Sequence, residues 1–216
     1  MIVLRAKKVE FEVTHITADN KPDWFLEVSP HGKVPLLMVD QEVLFESNAI
    51  AEFLDETIKP RLHPEDPFKR AENRAWTDFV PSFAAGLNSY LYAANLEDQE
   101  SKKPEAQKVL LKLEERLQKN RKKTGTYFNG KTLSIVDAAY APFLMRFTIV
   151  EPYCKTGVME EFPYVEEWRK TLINNPLVKD SLPENFMELF KKNLVKRGAY
   201  FANEVPNTAY LKLIES

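Results

Sequence analysis

Three short features between residues 21 and 47 combine side chains and backbone groups that could bind a small zwitterion. They are Lys21, the pair Val34 and Pro35 at the start of a predicted strand, and the pair Glu46 and Ser47 at the start of a predicted helix. The free amides of a helix start and a serine hydroxyl can hold a carboxylate, while Glu46 can meet an adjacent ammonium. Lys21 could take a second carboxylate, and an extended peptide could pair with the backbone of Val34. Each feature alone also has a structural interpretation, as a helix cap, a solvated charge or an edge proline.

The elements that must position these groups can be predicted from the apolar pattern. Residues 9–13 alternate between apolar and charged side chains, which predicts a strand with one buried face. Residues 22–27 resemble a short helix, and residues 34–39 and 42–45 have the spacing of an antiparallel hairpin, although the turn between them has no glycine. We expect Ser47 to cap a helix that ends near Pro60.

Everything after a proline-rich linker is predicted to be helical. Prolines 60, 64 and 67 break both periodicities, so we predict one domain over residues 1–58, a linker over 59–68 and a second domain over 69–216. Pro81 is expected to kink the first helix, whose apolar residues recur every four positions (Phe79, Phe83, Leu87, Leu91). The next helix has its own apolar stripe (Ala106, Leu110, Leu113, Leu117). The fold class is therefore an α/β N-terminal domain followed by an all-α helical bundle.

The centre of the helical domain is predicted at residues 135–150, which are apolar on nearly every side. Ser134 and Asp137 have the spacing of a capping box with Asp in place of Glu or Gln, which fixes where this helix starts. Pro163 and Pro183 are each expected to begin a further helix. The residues after Gly198 include Tyr200, Phe201, Tyr210 and Leu211, so we expect at least part of this segment to pack back on the domain.

The composition excludes several classes of function. Lys+Arg 30 against Asp+Glu 32 gives a formal charge of -2, which favours neither nucleic acid nor a charged membrane face as a partner. The basic cluster Arg121, Lys122 and Lys123 is interpreted as a solvated helix end. No run has the length and apolarity of a signal-peptide core or a membrane span. With a single cysteine, Cys154, the chain can form no intrachain disulfide, which predicts a cytoplasmic protein. An isolated cysteine is usually a small buried apolar residue, so we expect no catalytic role for this thiol.

Neither a metal site nor a nucleotide site is predicted. The three histidines, His15, His31 and His63, are scattered along the chain without the spacing of metal ligands. The six glycines form no phosphate-binding loop. We therefore expect no metal cofactor.

Several runs of the chain, in this order, resemble the cytosolic glutathione transferases, with the omega class nearest. These runs are residues 20–25 (Asn-Lys-Pro-Asp-Trp-Phe), 32–35 (Gly-Lys-Val-Pro), 45–47 (Phe-Glu-Ser) and 52–56 (Glu-Phe-Leu-Asp-Glu). Residues 63–67 and 134–137 also resemble family features, so the likeness extends from residue 2 to about residue 198. It implies that the N-terminal domain is thioredoxin-like, and that the protein is a homodimer.

The resemblance also implies a role for each of the residues singled out above. Val34 would pair with the cysteinyl backbone of glutathione, with Pro35 in the cis form. Glu46 and Ser47 would hold the γ-glutamyl head, and Lys21 would meet the glycine carboxylate. Three aromatic residues are candidates for the apolar wall of a cosubstrate pocket, with core packing as the alternative role for each (Phe79, Phe83, Tyr90).

The sequence departs from the family at its beginning. Family members open with a strand and a loop that bears the catalytic Cys, Ser or Tyr, followed by a helix that residues 2–8 resemble. The resemblance therefore places the catalytic residue, whose identity is unknown, before Met1, and leaves the thioredoxin-like domain without its first strand. We expect a start codon assigned too far downstream or a truncated chain; the alternative is a natural variant that has given up catalysis.

Two hypotheses about function follow. The resemblance predicts a glutathione transferase-like enzyme that transfers glutathione to a small electrophile or reduces a small disulfide. An omega-like cysteine would act through a mixed disulfide, as in thiol transfer or dehydroascorbate reduction, whereas a serine or tyrosine would favour conjugation. The competing hypothesis is a non-catalytic binding protein similar to the stringent starvation protein A family, which associates with RNA polymerase.

Overall fold

The computed structural model of the protein describes residues 1–17, 20–121, 125–154 and 157–209. The chain divides into two units, Met1–Ala71 and Glu72–Ser216. The side chains of the predicted basic cluster (Arg121, Lys122, Lys123) lie outside the described residues, and so do Tyr210 and Leu211. No helix in the described part of the chain combines the length and apolarity that crossing a membrane requires.

The first unit contains short helices and one hairpin. Its elements in chain order are α1 (Ile2–Ala6), α2 (Asp23–Val28), β1 (Leu36–Val39), β2 (Glu42–Phe45) and α3 (Ser47–Thr57). The predicted hairpin is confirmed: β1 and β2 are antiparallel, with Leu36 opposite Phe45 and Val39 opposite Glu42. Asp40 takes the left-handed conformation at the turn, with φ of 55°. Aspartate tolerates this conformation better than most residues, which explains how the turn forms without glycine.

The prediction of a strand at residues 9–13 is wrong. This segment has no regular secondary structure, and Val13 is exposed. Within the described chain, the only strands that form a sheet are β1 and β2. Alternation of apolar and charged residues produces a strand only where a neighbouring strand takes up the backbone hydrogen bonds. Phe11 instead contacts the guanidinium of Arg5, which lies 5.5 Å from the centre of its ring.

The second unit is helical, and the predicted fold class, a small thioredoxin-like domain followed by a helical domain, is confirmed. The helix α4 spans Pro67–Asp78, so it begins within the predicted linker and its residues fall on both sides of the division between Ala71 and Glu72. The helices that follow are α5 (Val80–Leu91), α6 (Leu96–Arg121), α7 (Ile135–Val150), α8 (Pro163–Asn174), α9 (Pro176–Lys179) and α10 (Phe186–Lys196), with a 3-10 turn at Glu151–Tyr153.

The core of the second unit is built from the stripes that the sequence predicts. Seven residues of the predicted stripes of α5 and α6 are fully buried (Phe83, Leu87, Leu91; Ala106, Leu110, Leu113, Leu117). Most residues of α7 are buried as well, which confirms it as a central helix. The segment after Gly198 packs back, because the amide of Tyr200 donates to the carbonyl of Ala93 at 3.0 Å and Phe201 is fully buried.

The predicted capping box at the start of α7 is confirmed and extended. The amide of Asp137 donates to Ser134 Oγ at 3.4 Å, and the amide of Ser134 donates to Asp137 Oδ2 at 2.8 Å. The other oxygen, Oδ1, accepts the amide of Phe128 at 2.9 Å and the indole N–H of Trp168 at 2.6 Å. The cap therefore joins the start of α7 to α8 and to the preceding loop.

Two predictions about prolines need correction. Pro81 does not kink a continuous helix, because α4 ends at Asp78 and Pro81 is the second residue of a new helix, α5. A proline lacks the N–H that the first turn of a helix leaves unbonded anyway, so this position suits it. Pro163 is the first residue of α8, as predicted, but Pro183 precedes the start of α10 at Phe186 by three residues.

Candidate functional site

Lys21 lies next to the loop that leads into β1. Its side chain is exposed, and its Nζ is 3.9 Å from the position that a Cβ on Gly32 would occupy. The loop is held by Ser29, the residue that follows α2, whose buried hydroxyl accepts the amide of Lys33 at 3.1 Å. The carbonyl of Ser29 accepts the amide of Gly32 at 3.2 Å. Ser29 therefore fixes the chain between Lys21 and Val34, a role that the sequence did not indicate.

Val34 is exposed at the end of this loop. The peptide bond between Val34 and Pro35 is cis, as the family resemblance implies, and 58% of Val34 is exposed. Within the described residues, neither its amide nor its carbonyl has a backbone partner. An extended ligand can therefore form main-chain hydrogen bonds there without displacing any described bond.

Glu46 occupies a strained position between β2 and α3. Its φ of 67° lies in the left-handed region, which is costly for a residue with a side chain. The prediction that Ser47 caps α3 is wrong: Ser47 is the first helical residue, and Glu46 stands at the cap position without a side-chain cap bond. The reason is the sharp turn at Glu46, which brings the chain into helical geometry one residue earlier. Among the described residues, the Glu46 carboxylate and the Ser47 hydroxyl have no hydrogen-bond partner.

The register of the hairpin brings these groups together. Because Leu36 lies opposite Phe45, the residues just before β1 and just after β2 flank the same end of the hairpin. The ring of His31 also contacts the ring of Phe45, with 5.6 Å between their centres. The unit Met1–Ala71 thus collects a lysine ammonium, an open stretch of backbone, a carboxylate and the start of a helix at one end of a hairpin.

A buried ion pair secures the far end of α3. Lys7, which follows α1, donates from Nζ to Asp55 Oδ1 at 2.6 Å and to the carbonyls of Ile58 and Pro60 at 2.7 and 2.6 Å. All three protons of the ammonium are therefore used. The same carboxylate accepts the amide of Leu62 at 2.6 Å. The sequence pattern did not single out Lys7, because its partner is 48 residues away.

Asp55 is nearly fully buried, but the hydrogen-bond donors around its carboxyl favour the charged form. Burial by itself raises the pKa of this carboxyl, yet the amide of Leu62, the ammonium of Lys7 and the amide of His63 outweigh it. The net result is a lowered pKa. His63 itself is buried, with its Nε2 2.8 Å from Glu52 Oε1. This network joins the last turns of α3 to the segment that follows it.

The three aromatic candidates for a cosubstrate pocket lie in the helical unit. Phe83 and Tyr90 are fully buried, and Phe83 contacts Tyr140 with 4.9 Å between the ring centres. Phe79 is half-buried, and the ammonium of Lys112 lies 4.9 Å from the centre of its ring. Core packing is thus the role that the structure gives to Phe83 and Tyr90. A contact of any of the three with a cosubstrate stays a prediction.

Cys154 is not suited to nucleophilic chemistry. Burial raises the pKa of its thiol to about 12, with a hydrogen bond from Gln99 opposing the rise and the charge of Glu151 adding to it. The thiolate is the reactive form of cysteine, and it is scarce at neutral pH when the pKa is this high. As for metals, the described residues contain no group of three or more His, Cys, Asp or Glu side chains that could hold an ion.

Comparison with known proteins agrees with this arrangement. Residues 1–57 match the family model for the glutathione S-transferase N-terminal domain, and residues 71–176 match the one for the C-terminal domain. The chain is 31% identical over 185 residues to a probable glutathione S-transferase, parA, of Nicotiana tabacum, covering 84% of this chain and 82% of the relative. It is 32% identical over 180 residues to glutathione S-transferase omega-1 of Sus scrofa, covering 82% and 72%.

Solved structures show the same fold. A rice glutathione S-transferase in complex with glutathione superposes with a TM-score of 0.77 at 26% identity, covering 92% of this chain and 90% of that one. A tau-class enzyme from mango, Mangifera indica, gives a TM-score of 0.75 at 25% identity, covering 95% and 91%. Both tau-class and omega-class proteins are therefore similar to this chain, so the likeness is not specific to the omega class. The chain belongs to the glutathione S-transferase family.

Proposed function

We propose that this protein binds glutathione at one end of the β1–β2 hairpin and delivers its thiol to a small electrophilic or disulfide acceptor. The observation that carries the proposal is the convergence of the open Val34 backbone with Glu46 and Ser47 at that end. Glutathione is a tripeptide with one ammonium and two carboxylates. Its binding site therefore needs a carboxylate for the ammonium, and a cation and hydrogen-bond donors for the two carboxylates. Glu46, Lys21 and the first turn of α3 supply them.

In the proposed complex, each part of glutathione has one partner. The cysteinyl backbone pairs with the amide and carbonyl of Val34, as an added strand would. The γ-glutamyl ammonium meets Glu46, and its carboxylate meets Ser47. The glycine carboxylate meets Lys21. The strain at Glu46 supports this assignment, because non-glycine residues held at positive φ are concentrated at functional sites.

Two reactions of the bound thiol are consistent with family membership. In conjugation, the sulfur forms a bond to an electrophilic carbon, the leaving group departs with its electron pair, and the thiol proton passes to solvent. In thiol transfer, the glutathione thiolate attacks a disulfide sulfur and forms a mixed disulfide, and the other sulfur leaves as a thiolate. Reduction of dehydroascorbate would take two electrons and two protons from two glutathione molecules, which become glutathione disulfide.

The finer, omega-like assignment rests on the motif resemblance and on the similarity to the omega-1 proteins. The residues of the unit Met1–Ala71 include neither cysteine nor tyrosine, and the Cys154 thiol stays protonated at neutral pH. The residues of this chain that the proposal uses therefore bind and orient glutathione. Assays with 1-chloro-2,4-dinitrobenzene and with hydroxyethyl disulfide separate conjugation from thiol transfer.

Two variants test the binding step through retention on immobilised glutathione and titration calorimetry. S47A and E46Q should each weaken glutathione binding about tenfold or more, because a hydrogen bond to a charged group contributes ~1.5–3 kcal/mol. S101A and E42Q remove an exposed hydroxyl and an exposed carboxylate elsewhere, and should bind like the wild type. A wild-type protein that is not retained would contradict the proposal and favour a non-catalytic binding module.

A further inference from the structure

One side chain holds both backbone groups of the residue that precedes Val34. The hydroxyl of Ser29 accepts the amide of Lys33 at 3.1 Å and donates to the carbonyl of Lys33 at 3.3 Å. The amide belongs to the peptide unit before Lys33, and the carbonyl belongs to the peptide unit that Lys33 shares with Val34. A single hydroxyl therefore restrains two successive peptide units just before β1.

Ser29 is itself fixed at the end of α2. It is buried, and its amide donates to the carbonyl of Phe25 at 2.9 Å, a residue that is buried as well. Its carbonyl accepts the amide of Gly32 at 3.2 Å, and Gly32 has a φ of 57°, which glycine adopts without steric cost. Because its backbone is bonded on both sides, Ser29 gives the residues that follow a fixed point of attachment.

The bond from Ser29 to the Lys33 carbonyl determines where the amide of Val34 points. The two groups belong to the same peptide unit, which is trans and planar. In such a unit the C=O and N–H bonds point in opposite directions. Since the Lys33 oxygen is directed at Ser29, the Val34 N–H is directed away from Ser29. Within the described residues, this N–H has no backbone acceptor.

We propose that Ser29 is a positioning residue for glutathione, whose hydroxyl turns the Val34 amide toward the cysteinyl carbonyl of the ligand. The inference rests on the proposed function and adds to it a residue that does not touch glutathione. Without the hydroxyl, the peptide unit between Lys33 and Val34 can rotate so that its carbonyl meets water. Rotation turns the Val34 amide away from the ligand, and a smaller populated fraction of the binding-competent form weakens the apparent affinity.

Titration calorimetry of the full chain with two ligands tests this role. S29A should bind glutathione about tenfold more weakly than the wild type, in line with the loss of one hydrogen bond or two. The analogue γ-glutamylcysteamine lacks the cysteinyl carbonyl and the glycine, so the wild type and S29A should bind it with equal affinity. S181A is the matched control, because Ser181 in the other unit donates to the carbonyl of Leu177 at 2.6 Å. It should bind both ligands like the wild type.

A second comparison separates the Val34 amide from Lys21, whose ammonium also lies next to this loop. If Ser29 acts through Val34, S29A should weaken glutathione binding by the same factor in a K21M background as in the wild type, because the two effects are independent. If the effect of S29A disappears in K21M, Ser29 positions the lysine instead, and the proposal is overturned.

The proposal is also overturned if S29A binds glutathione like the wild type, a result that leaves the proposed function intact. Equal losses of affinity for glutathione and γ-glutamylcysteamine in S29A would overturn it too, because they indicate general damage to the loop rather than a misdirected amide. A wild type that does not bind glutathione contradicts the proposed function itself, and the role of Ser29 fails with it.

Discussion

At the scale of single residues, the most constrained charge in the first unit is the ammonium of Lys7. It is buried and makes three hydrogen bonds, to Asp55 and to the carbonyls of Ile58 and Pro60. Removing one partner of a buried pair leaves the other as an uncompensated charge. The net contribution of the Lys7–Asp55 ion pair to the stability of the fold is therefore smaller than the stability that is lost when one partner is removed.

We expect K7M to destabilise the first unit by ~3–5 kcal/mol, because the Asp55 carboxylate would stay buried without its cation. Hydrogen exchange of the Leu62 and His63 amides, which donate to this carboxylate, should become faster. K8M is the matched control, since Lys8 is exposed and is the next residue in the chain. Equal exchange rates in K7M and K8M would contradict the account.

The lowered pKa of Asp55 gives the first unit a defined dependence on pH. A carboxyl whose pKa is lower in the folded state stabilises that state above its unfolded pKa, which is about 3.9. This contribution is lost as the pH falls through the folded value. The difference in unfolding free energy between the wild type and D55N should therefore be constant from about pH 7 to pH 5 and shrink below about pH 4. If the difference in unfolding free energy instead grew as the pH falls, the pKa of Asp55 would not be lowered by folding.

At the scale of secondary-structure elements, the start of α8 depends on a side chain from another helix. Glu114, in α6, accepts the amide of Tyr164 at 3.1 Å and the amide of Val165 at 2.8 Å. These amides lie in the first turn of α8, where a helix leaves its N–H groups without partners. The negative charge also suits the positive end of the helix dipole.

E114Q should destabilise the protein by ~1–2 kcal/mol, because a neutral amide offers one acceptor oxygen in place of two and has no charge. The measurement is urea unfolding followed by far-UV circular dichroism. E115Q, at an exposed position of the same helix, should change the unfolding free energy by less than about 0.5 kcal/mol. The capping role fails if the two variants are equally stable.

Two arrangements of residues close in sequence were predictable, whereas contacts between distant residues were not. Ser134 and Asp137 are three residues apart, so their capping box was visible in the sequence, as was the hairpin. Glu114 and Tyr164 are 50 residues apart, and no local pattern marks them as partners. The alternation at residues 9–13 is also a local pattern. A strand needs a neighbouring strand as well, however, and the sequence of the segment does not show whether one is present.

The candidate site, too, was predictable only in part. The order and type of its residues came from the resemblance, whereas their meeting at one end of the hairpin follows from the register of Leu36 and Phe45. The positive φ of Glu46 could not be predicted, because glutamate carries no signal for that conformation. Ser29 was missed for a related reason, since a hydroxyl that bonds the backbone of its own loop resembles any other loop serine.

At the scale of the whole molecule, family membership rests on both halves of the chain. The N-terminal and C-terminal family models match separate segments, and similarity to the parA and omega-1 proteins covers more than four-fifths of the chain. The domain boundaries at residues 1–58, 59–68 and 69–216 stay a prediction, and so do the homodimer and the cytoplasmic location.

The central claim is that glutathione binds at the end of the hairpin, and hydrogen exchange mass spectrometry with saturating glutathione tests it most directly. Amides of residues 32–36 and 46–50 should exchange more slowly when glutathione is bound, because the ligand covers the Val34 backbone and the start of α3. In S47A, the same protection should need a glutathione concentration about tenfold higher or more, in line with its weaker binding. An unchanged exchange rate in both segments, or protection confined to the unit Glu72–Ser216, would contradict the account.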